Sequence, residues 1–387
     1  MSSRWINSTI LGIGAASLFS DVGHEMATAA LPALLASIGA SSAALGLIEG
    51  VSDGMSSFAK LYSGLYSDRL ERRKPLAVVG YFLTASGMAS FAFASTWTHV
   101  LIGRAAGWIG RGARGPVRNV LLTEATTPET YGRAFGLERS MDSAGAVIGP
   151  AIAVYLASRV PLRTLFLLTF IPGILAALMI WFMVKEKPHA PSKKIQSLWD
   201  HANSLPGHFR RYLAGVAFAG VGDFSKTLLI LWAGQAWAAR YGLMHAARLA
   251  MIFYVGYNIV YTASCYISGL LADRFHKNYV LAFGYAIAAI PAGCLLLPGD
   301  SLLKFALVFG LSGLYMGVWE TVENATAASM LTPETRGIGF GVLASVNGVG
   351  DMISSAAVGT LWIFSPAAAM AFVIATSLIG SALIATL

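Results

Sequence analysis

The sequence predicts an all-α membrane protein in which twelve transmembrane helices form two six-helix bundles related by a pseudo-two-fold axis. Three observations lead to this fold class. Hydrophobic residues make up 56% of the chain and charged residues only 12%, whereas soluble chains average about 45–50% and about 25%. Twelve mostly apolar stretches have at least about the 20 residues that a helix needs to cross the hydrocarbon core of a bilayer. Short motifs also recur at one constant distance along the 387 residues.

The predicted spans run from one polar break to the next. They cover residues 8–36, 42–66, 75–95, 98–122, 134–157, 164–184, 211–237, 246–271, 279–297, 302–328, 337–362 and 366–386. The longest polar stretch, which contains Pro188, Pro191 and Pro206, separates six spans from six. We therefore expect an N-terminal bundle over residues 1–184, a cytoplasmic linker over 185–210 with a short surface helix near 195–203, and a C-terminal bundle over 211–387.

The basic residues predict the orientation of the chain. Fifteen of the 27 Lys and Arg residues fall on the side of the termini and five on the other side. Because short cytoplasmic loops of membrane proteins are rich in Lys and Arg, we expect a multi-pass protein of the bacterial inner membrane with both termini in the cytoplasm. Anionic lipid headgroups account for the net charge of +8, so no nucleic-acid partner is expected.

An internal repeat connects the two halves. The segment from Gly64 to Arg72 matches the segment from Gly269 to Lys277 at an offset of 205 residues. The same offset relates Thr-Pro-Glu-Thr at 127–130 to the identical tetrapeptide at 332–335, and Phe-Gly at 135–136 to Phe-Gly at 340–341. Each half is therefore predicted to be a six-span unit of the same topology, as in transporters built from parallel repeats.

Three motifs in the first half resemble those of the major facilitator superfamily. They are Gly64-x-x-x-Asp68-Arg69-x-x-Arg72-Arg73 between spans 2 and 3, Arg104-x-x-Gly107-x-x-Gly110 in span 4, and Gly145-x-x-x-Gly149-Pro150 in span 5. The last is similar to a motif found mostly in the exporters of that family. Asp21-x-x-x-Glu25-Met26, Glu49-Gly50-x-x-Asp53 and Met141-Asp142 further resemble an uncharacterised prokaryotic branch. The resemblance implies a secondary transporter that uses an ion or solute gradient.

The loop and span-5 motifs predict gating residues. Asp68 can pair with arginines or face the positive N-terminal end of a helix, which would hold the two bundles together on the cytoplasmic side in one state. Glycines four residues apart allow close helix packing, and Pro150 removes a backbone hydrogen bond. The predicted gating residues are Gly64, Asp68, Arg69, Arg72, Gly145, Gly149, Pro150, Asp273 and Arg274.

Ionisable residues inside the spans predict the functional site, because a charge at the bilayer centre costs at least about 2.5–3.5 kcal/mol. Asp21, His24 and Glu25 share one face of span 1. Asp223 and Lys226 occupy nearly equivalent positions in span 7. Removal from water favours the neutral form of a carboxylate, so a proton site is predicted; a purely structural pair of Asp21 with Lys226 is the alternative. The predicted proton-coupling residues are Asp21, Glu25, Asp53 and Asp223.

Arginines in span 4 form one helical stripe. Their spacings of 7, 3 and 4 residues place all four on one side of the helix, where they must meet acidic residues or an anionic ligand. Glu323 is the repeat counterpart of Arg118, which suggests an ion pair between these two residues. The predicted solute-binding residues are His24, Glu49, Arg104, Arg111, Arg114, Arg118, Asp142, Lys226, Tyr257, Trp319, Glu320 and Glu323.

These features predict a proton-coupled secondary transporter that moves a small charged or zwitterionic organic solute by alternating access, with export by antiport favoured. The alternatives are a proton-coupled uptake symporter, a divalent-metal transporter that uses Asp21, His24 and Glu25, and a membrane receptor or structural protein that transports nothing. No phosphate-binding loop or nucleophile motif is present, so neither enzymatic activity nor a cofactor or bound metal is expected. The expected partners are the solute, protons and lipid, and we expect a monomer.

Overall fold

The computed structural model describes residues 5–40, 42–157, 159–188, 205–223 and 226–387, and every regular element in these ranges is helical. In the first half, the α-helices are α1 (Ser8–Ser37), α2 (Ser42–Ser67), α3 (Lys74–Ala89), α4 (Trp97–Glu124), α5 (Tyr131–Ala157), α6 (Leu162–Leu168) and α7 (Phe170–Met183). Short 3₁₀ helices, Ser90–Phe93 and Pro128–Thr130, follow α3 and precede α5.

The second half contains seven further helices among the described residues. They are α8 (Gly207–Val221), α9 (Lys226–Tyr241), α10 (Leu243–Arg274), α11 (Lys277–Leu296), α12 (Leu302–Met330), α13 (Arg336–Phe364) and α14 (Pro366–Ala385). The predicted surface helix near 195–203 lies outside the described residues.

Two predicted spans are interrupted. Span 6 consists of α6 and α7, which meet at Thr169. The prediction of one continuous helix for span 7 is wrong, because α8 ends at Val221 and α9 starts at Lys226. The N–H groups of Gly222 and Asp223 donate to carbonyl oxygens three residues back, at 3.0 and 3.1 Å, so the last turn tightens and the α-helical pattern stops.

Eight segments of the described chain are long and apolar enough to cross a membrane, by length and composition alone. The predicted spans 1, 2, 4 and 7 are not among them. Three of these carry Asp21, Asp53 and the arginine stripe, and span 7 is interrupted beside Asp223. The spans outside the eight apolar segments therefore carry all four predicted proton-coupling residues.

The described residues up to Leu205, together with Leu331–Ser345, form one compact unit. Within it, α1 packs against α5 and α7, and α4 packs against α2 and α3. Buried aliphatic and aromatic side chains of α1, α4 and α6, among them Met26, Leu31, Val100 and Phe166, belong to a common core. This packing places α1, α4 and α5, the helices with the most buried charges, next to one another.

The described residues of Pro206–Met330 and Val346–Leu387 form the second unit. In this unit α10 packs against α12, and α11 packs against α12 and α14. The division falls near the predicted linker, but the start of α13 is grouped with the first unit, whereas the sequence placed all of 211–387 in one bundle. The bundle boundaries stay a prediction.

The repeated tetrapeptide adopts similar turns in both places. The N–H of Thr130 donates to the carbonyl of Thr127 at 2.9 Å, and the N–H of Thr335 donates to that of Thr332 at 3.0 Å. Each turn directly precedes a long helix, α5 or α13. The sequence repeat therefore corresponds to a structural repeat.

Candidate proton and solute site

Asp21 lies at the centre of the charged residues of the first unit. Its side chain is nearly inaccessible at 3% exposure, and that of His24, one turn further along α1, is 4% exposed. Arg111 of α4 donates to both Asp21 carboxylate oxygens, at 2.9 and 3.4 Å, and Arg114 Nη2 lies 4.0 Å from Oδ1. The arginine stripe therefore meets an acidic residue, as its spacing predicted. Glu25, the third residue of the predicted face, is only half-buried.

Trp108 adds an aromatic surface to this group, and sequence reasoning missed it. The His24 ring meets the Trp108 ring edge-on, with centroids 5.3 Å apart. The guanidinium carbons of Arg104 and Arg111 lie 5.8 and 5.6 Å from the Trp108 ring centroid. Trp108 is four residues after Arg104 and three before Arg111, so the periodicity that identified the stripe also includes this tryptophan.

A second, more buried group of charged residues lies beside the first. Arg118 Nη1 is 2.7 Å from Glu138 Oε1 and donates to Ser17 Oγ at 3.0 Å. Ser17 Oγ in turn donates to Glu138 at 2.6 Å, and the Glu138 side chain is fully buried. Arg139 Nη1 donates to Asp142 Oδ2 at 3.1 Å, within α5. The partners described here for Arg118 and for Glu323 each lie within the residue's own unit, and the predicted pairing of Arg118 with Glu323 stays a prediction.

Among the described residues, the contacts above involve five arginines and three acidic residues. We call the following residues the arginine cluster: Arg104, Arg111, Arg114, Arg118 and Arg139 with Asp21, Glu138 and Asp142. The Arg114 guanidinium carbon lies 4.0 Å from the Tyr81 ring centroid. In the part of the chain that is described, Nε and Nη1 of Arg114 have no hydrogen-bond partner. The cluster therefore has unused donor capacity in a buried position.

Glu323 is the corresponding buried acid of the second unit. Its carboxylate accepts hydrogen bonds from Tyr285 Oη at 2.8 Å, Trp319 Nε1 at 2.5 Å and Asn347 Nδ2 at 2.5 Å. The residue is 1% exposed. Trp319 was predicted as a solute contact and here orients Glu323. Tyr285 and Asn347 were missed, because neutral residues on other helices carry no signal of this role in the sequence.

The remaining candidates of the second unit lie around aromatic side chains. The Tyr261 hydroxyl donates to Glu320, and the ring of buried Tyr257 stacks on that of Tyr254 with centroids 5.6 Å apart. Tyr257, Tyr315 and Asp223 line a cavity of about 30 Å³, which is enough for a water molecule.

Asp53 is exposed. The side chains of Glu49 and Lys226 lie outside the described residues, so the alternative pairing of Asp21 with Lys226 stays untested. No group of three or more His, Cys, Asp or Glu side chains close enough to hold a metal ion occurs among the residues described.

Asp68, at the end of α2, contacts the start of α13. Its carboxylate accepts the N–H groups of Gly337 and Ile338 at 3.1 and 2.9 Å and lies 3.4 Å from Arg73 Nη2. We call this contact the Asp68 latch. Burial raises the pKa of Asp68, and the two backbone N–H groups and Arg73 oppose this shift. The predicted interaction with a helix N-terminus is present.

The basic partner of the latch differs from the prediction. Arg73 is almost fully buried and also contacts Glu124 at 2.6 Å, whereas Arg69 and Arg72, which were predicted to gate, are exposed. In the second half, Arg274 is exposed and Asp273 half-buried at the end of α10. Gly64 lies against the backbone of Gly337, since a Cβ placed on it would be 2.5 Å from the Gly337 carbonyl oxygen.

Gly145 and Gly149 bring α5 against α1. A Cβ added at Gly145 would lie 2.5 Å from the carbonyl oxygen of Leu18, and one at Gly149 would lie 2.7 Å from that of Val22. Pro150 lies inside α5 without ending the helix. The two glycines therefore set the distance between α5 and the segment of α1 that carries Asp21.

Comparison with known proteins shows which family and which proteins the chain is similar to. The family model described as "Major Facilitator Superfamily" matches residues 13–355. An uncharacterised MFS-type transporter of Methanocaldococcus jannaschii is 25% identical over 369 residues, which cover 94% of this chain and 91% of the relative. The multidrug resistance protein MdtL of Klebsiella pneumoniae is 26% identical over 188 residues, 48% of each chain. The crystal structure of the human organic anion transporter MFSD10 superimposes with a TM-score of 0.79 at 15% identity, over 97% of this chain and 99% of that one.

Proposed function

Because the chain belongs to the major facilitator superfamily, a family of membrane transporters, we propose that it is a proton-coupled secondary transporter that moves a small charged organic solute by alternating access. The pair of Asp21 and Arg111 carries this proposal. Both residues lie on helices, α1 and α4, that are not among the eight apolar segments, and Arg111 Nη1 lies 2.9 Å from Asp21 Oδ1. An ionisable residue inside a membrane is by default a functional candidate.

The pair can work as a proton-controlled switch. When Asp21 is ionised, it occupies the Arg111 guanidinium with two hydrogen bonds. When Asp21 is protonated, the ion pair is lost and Arg111 becomes available to another partner. Arg111 is 26% exposed and Asp21 only 4% by side chain, so the arginine is the member of the pair that a solute can reach.

The Asp68 latch supports the alternating-access part of the proposal. Asp68 directly follows α2 and binds the first turn of α13. The start of α13 belongs to the same unit as Asp68, and the rest of that helix belongs to the second unit. A transport cycle that rearranges α13 must break these two hydrogen bonds. We therefore propose that the latch is formed in one state of the cycle and released in another.

The proposal covers two directions of transport. Export by antiport is favoured by the Gly145 and Gly149 motif, which resembles that of exporters, and by MdtL, a multidrug resistance protein that matches half of the chain. Uptake by symport is favoured by the two arginines, Arg111 and Arg114, that share the Asp21 carboxylate. An antiported cation would compete with protons for Asp21, whereas a symported anion would bind better once Asp21 is neutral.

Flux measurements on purified protein in proteoliposomes test the proposal. A pH gradient should drive movement of at least one charged solute, and the Asp21→Asn variant should lose the dependence on the gradient. Arg159→Gln is the matched control, because Arg159 is exposed. Its guanidinium carbon lies 3.7 Å from the centroid of the Tyr155 ring. If no charged solute of a broad panel moved or altered proton flux, the protein would be the receptor or structural protein of the alternative hypothesis.

A further inference from the structure

We infer that the solute is an organic anion whose acid group replaces Asp21 as the partner of Arg111, so that one proton and the anion bind together. This inference rests on the proposed function and specifies its solute class. It also selects cotransport of solute and proton over exchange. Three features of the arginine cluster lead to it.

The first feature is the local charge at Asp21. Arg111 donates to both oxygens of the Asp21 carboxylate, and Arg114 Nη2 lies 4.0 Å from the same carboxylate. Two guanidinium groups therefore share one carboxylate in these contacts, and a charge in a buried position is costly without a counter-charge. The position between the two arginines favours an added anion over an added cation.

The second feature is a set of buried hydrogen-bonding atoms without partners. Among the residues described, those close to Asp21 include His24 Nδ1, Trp108 Nε1, and Nε and Nη1 of Arg114. His24 and Arg114 are more than nine-tenths buried. Tryptophan and arginine nitrogens can only donate, and His24 Nδ1 donates in one tautomer. A carboxylate, sulfonate or phosphate supplies the acceptors that these donors lack.

The third feature is access. Arg111 is 26% exposed, whereas Arg114 beside it is 3% exposed by side chain. The Arg111 guanidinium lies next to the Trp108 ring, at 5.6 Å from its centroid. An anion that reaches Arg111 therefore meets an aromatic surface, which fits an organic acid with an apolar body better than a small inorganic ion.

Proton coupling follows from what surrounds Asp21. On α1 it is faced by His24 and Glu25, on α4 by Arg111 and Arg114, and on α5 by Asp142. Protonation of Asp21 raises the positive charge of this group by one and removes the competitor from Arg111. By linkage, an anion that binds better to the protonated form also makes protonation more favourable.

Binding to purified protein in nanodiscs tests the inference. The probes are benzoate, succinate and inorganic phosphate, with choline as the cationic comparison. We expect at least one organic acid to bind, with an affinity that rises as the pH falls, by up to about tenfold per pH unit while Asp21 titrates. The Asp21→Asn variant should bind that acid with little pH dependence, Arg111→Gln should lose binding at every pH, and Arg159→Gln should behave as the unaltered protein.

A readout in the unaltered protein covers the case in which a variant fails to fold. Phenylglyoxal modifies free guanidinium groups, and modification of Arg111 can be followed by mass spectrometry. Modification should be faster at acidic pH than at neutral pH relative to Arg159, and a bound organic acid should slow it. Equal relative rates at both pH values would overturn the inference.

Failure of the inference can be told apart from failure of the proposed function. If choline bound and the three anions did not, or if anion binding weakened as the pH fell, the solute would not be an organic anion coupled through Asp21. Proton-driven flux of a cation in proteoliposomes would in that case leave the transporter proposal standing. Binding of phosphate alone would also overturn the inference, because the site would then not select an organic acid.

Discussion

Replacement of Gly145 by alanine tests whether close packing of α5 on α1 holds the arginine cluster together. The added Cβ would lie 2.5 Å from the Leu18 carbonyl oxygen and 3.0 Å from Asp21 Cβ. To reach an ordinary contact of 3.4 Å, α5 must move away by about 0.9 Å. Such a gap forfeits about a quarter to a half of each dispersion contact along the interface, and overpacking of this kind costs about 1–3 kcal/mol.

Gly54→Ala is the matched control. Gly54 is also helical, but no atom lies within 4 Å of a Cβ added there, so alanine should stabilise the helix by about 0.5–1 kcal/mol. The two substitutions are chemically identical and should change the free energy of unfolding in opposite directions. Titration with a denaturing detergent measures both. Equal effects of the two variants would refute the argument that backbone contact at Gly145 limits the distance between α1 and α5.

Three further predictions concern the latch and the buried acids. Because burial raises the pKa of Asp68, a proton binds the latched carboxyl more tightly than an exposed one, so the latch should become more populated as the pH falls through that raised pKa. Hydrogen exchange at Gly337, corrected for its intrinsic rate, should therefore slow in acid, and Asp68→Ala should abolish the effect. Glu138→Gln removes one partner of a buried ion pair and should lower the free energy of unfolding by about 3–5 kcal/mol. The exposed control, Arg159→Gln, should lower it by less than about 0.5 kcal/mol. Similar losses in the two variants would contradict the argument that burial makes the Glu138 ion pair important for stability. Glu323→Gln turns an acceptor of three hydrogen bonds into a mixed donor and acceptor. Because Trp319 donates to Glu323, the tryptophan fluorescence emission should shift. An unchanged emission spectrum would count against the hydrogen bonds described around Glu323.

The sequence predicted the helices well because hydropathy is a local property. The arginine stripe was also predictable, since residues at spacings of 7, 3 and 4 share one helix face whatever surrounds them. Periodicity also placed Asp21 and His24 on one face, and the structure buries both. Helix geometry alone accounts for these successes.

The partners of these residues could not be predicted, because they depend on which helices are neighbours. Arg118 was assigned to Glu323 from the repeat, yet Glu138 on adjacent α5 lies 2.7 Å away. The expected gating arginines are exposed, whereas Arg73 next to them is buried against Asp68. In a run of basic residues, the sequence does not distinguish the one that turns inward.

Neutral residues that bind the acid of a charged site could not be predicted from the sequence either. Tyr285 and Asn347 come from different helices, and both bind Glu323. Trp108 was closer to prediction, because it lies on the same helix face as Arg104 and Arg111. Attention to aromatic residues within a charged stripe would have identified it.

Simultaneous measurement of solute and proton flux in proteoliposomes tests the role of Asp21 most directly. With the organic acid that binds in nanodiscs, an inward gradient of the acid should acidify the lumen through the unaltered protein. The Asp21→Asn variant should still bind the acid at Arg111 and should move no protons with it. Full proton movement through the Asp21→Asn variant would contradict the assignment of coupling to this carboxylate.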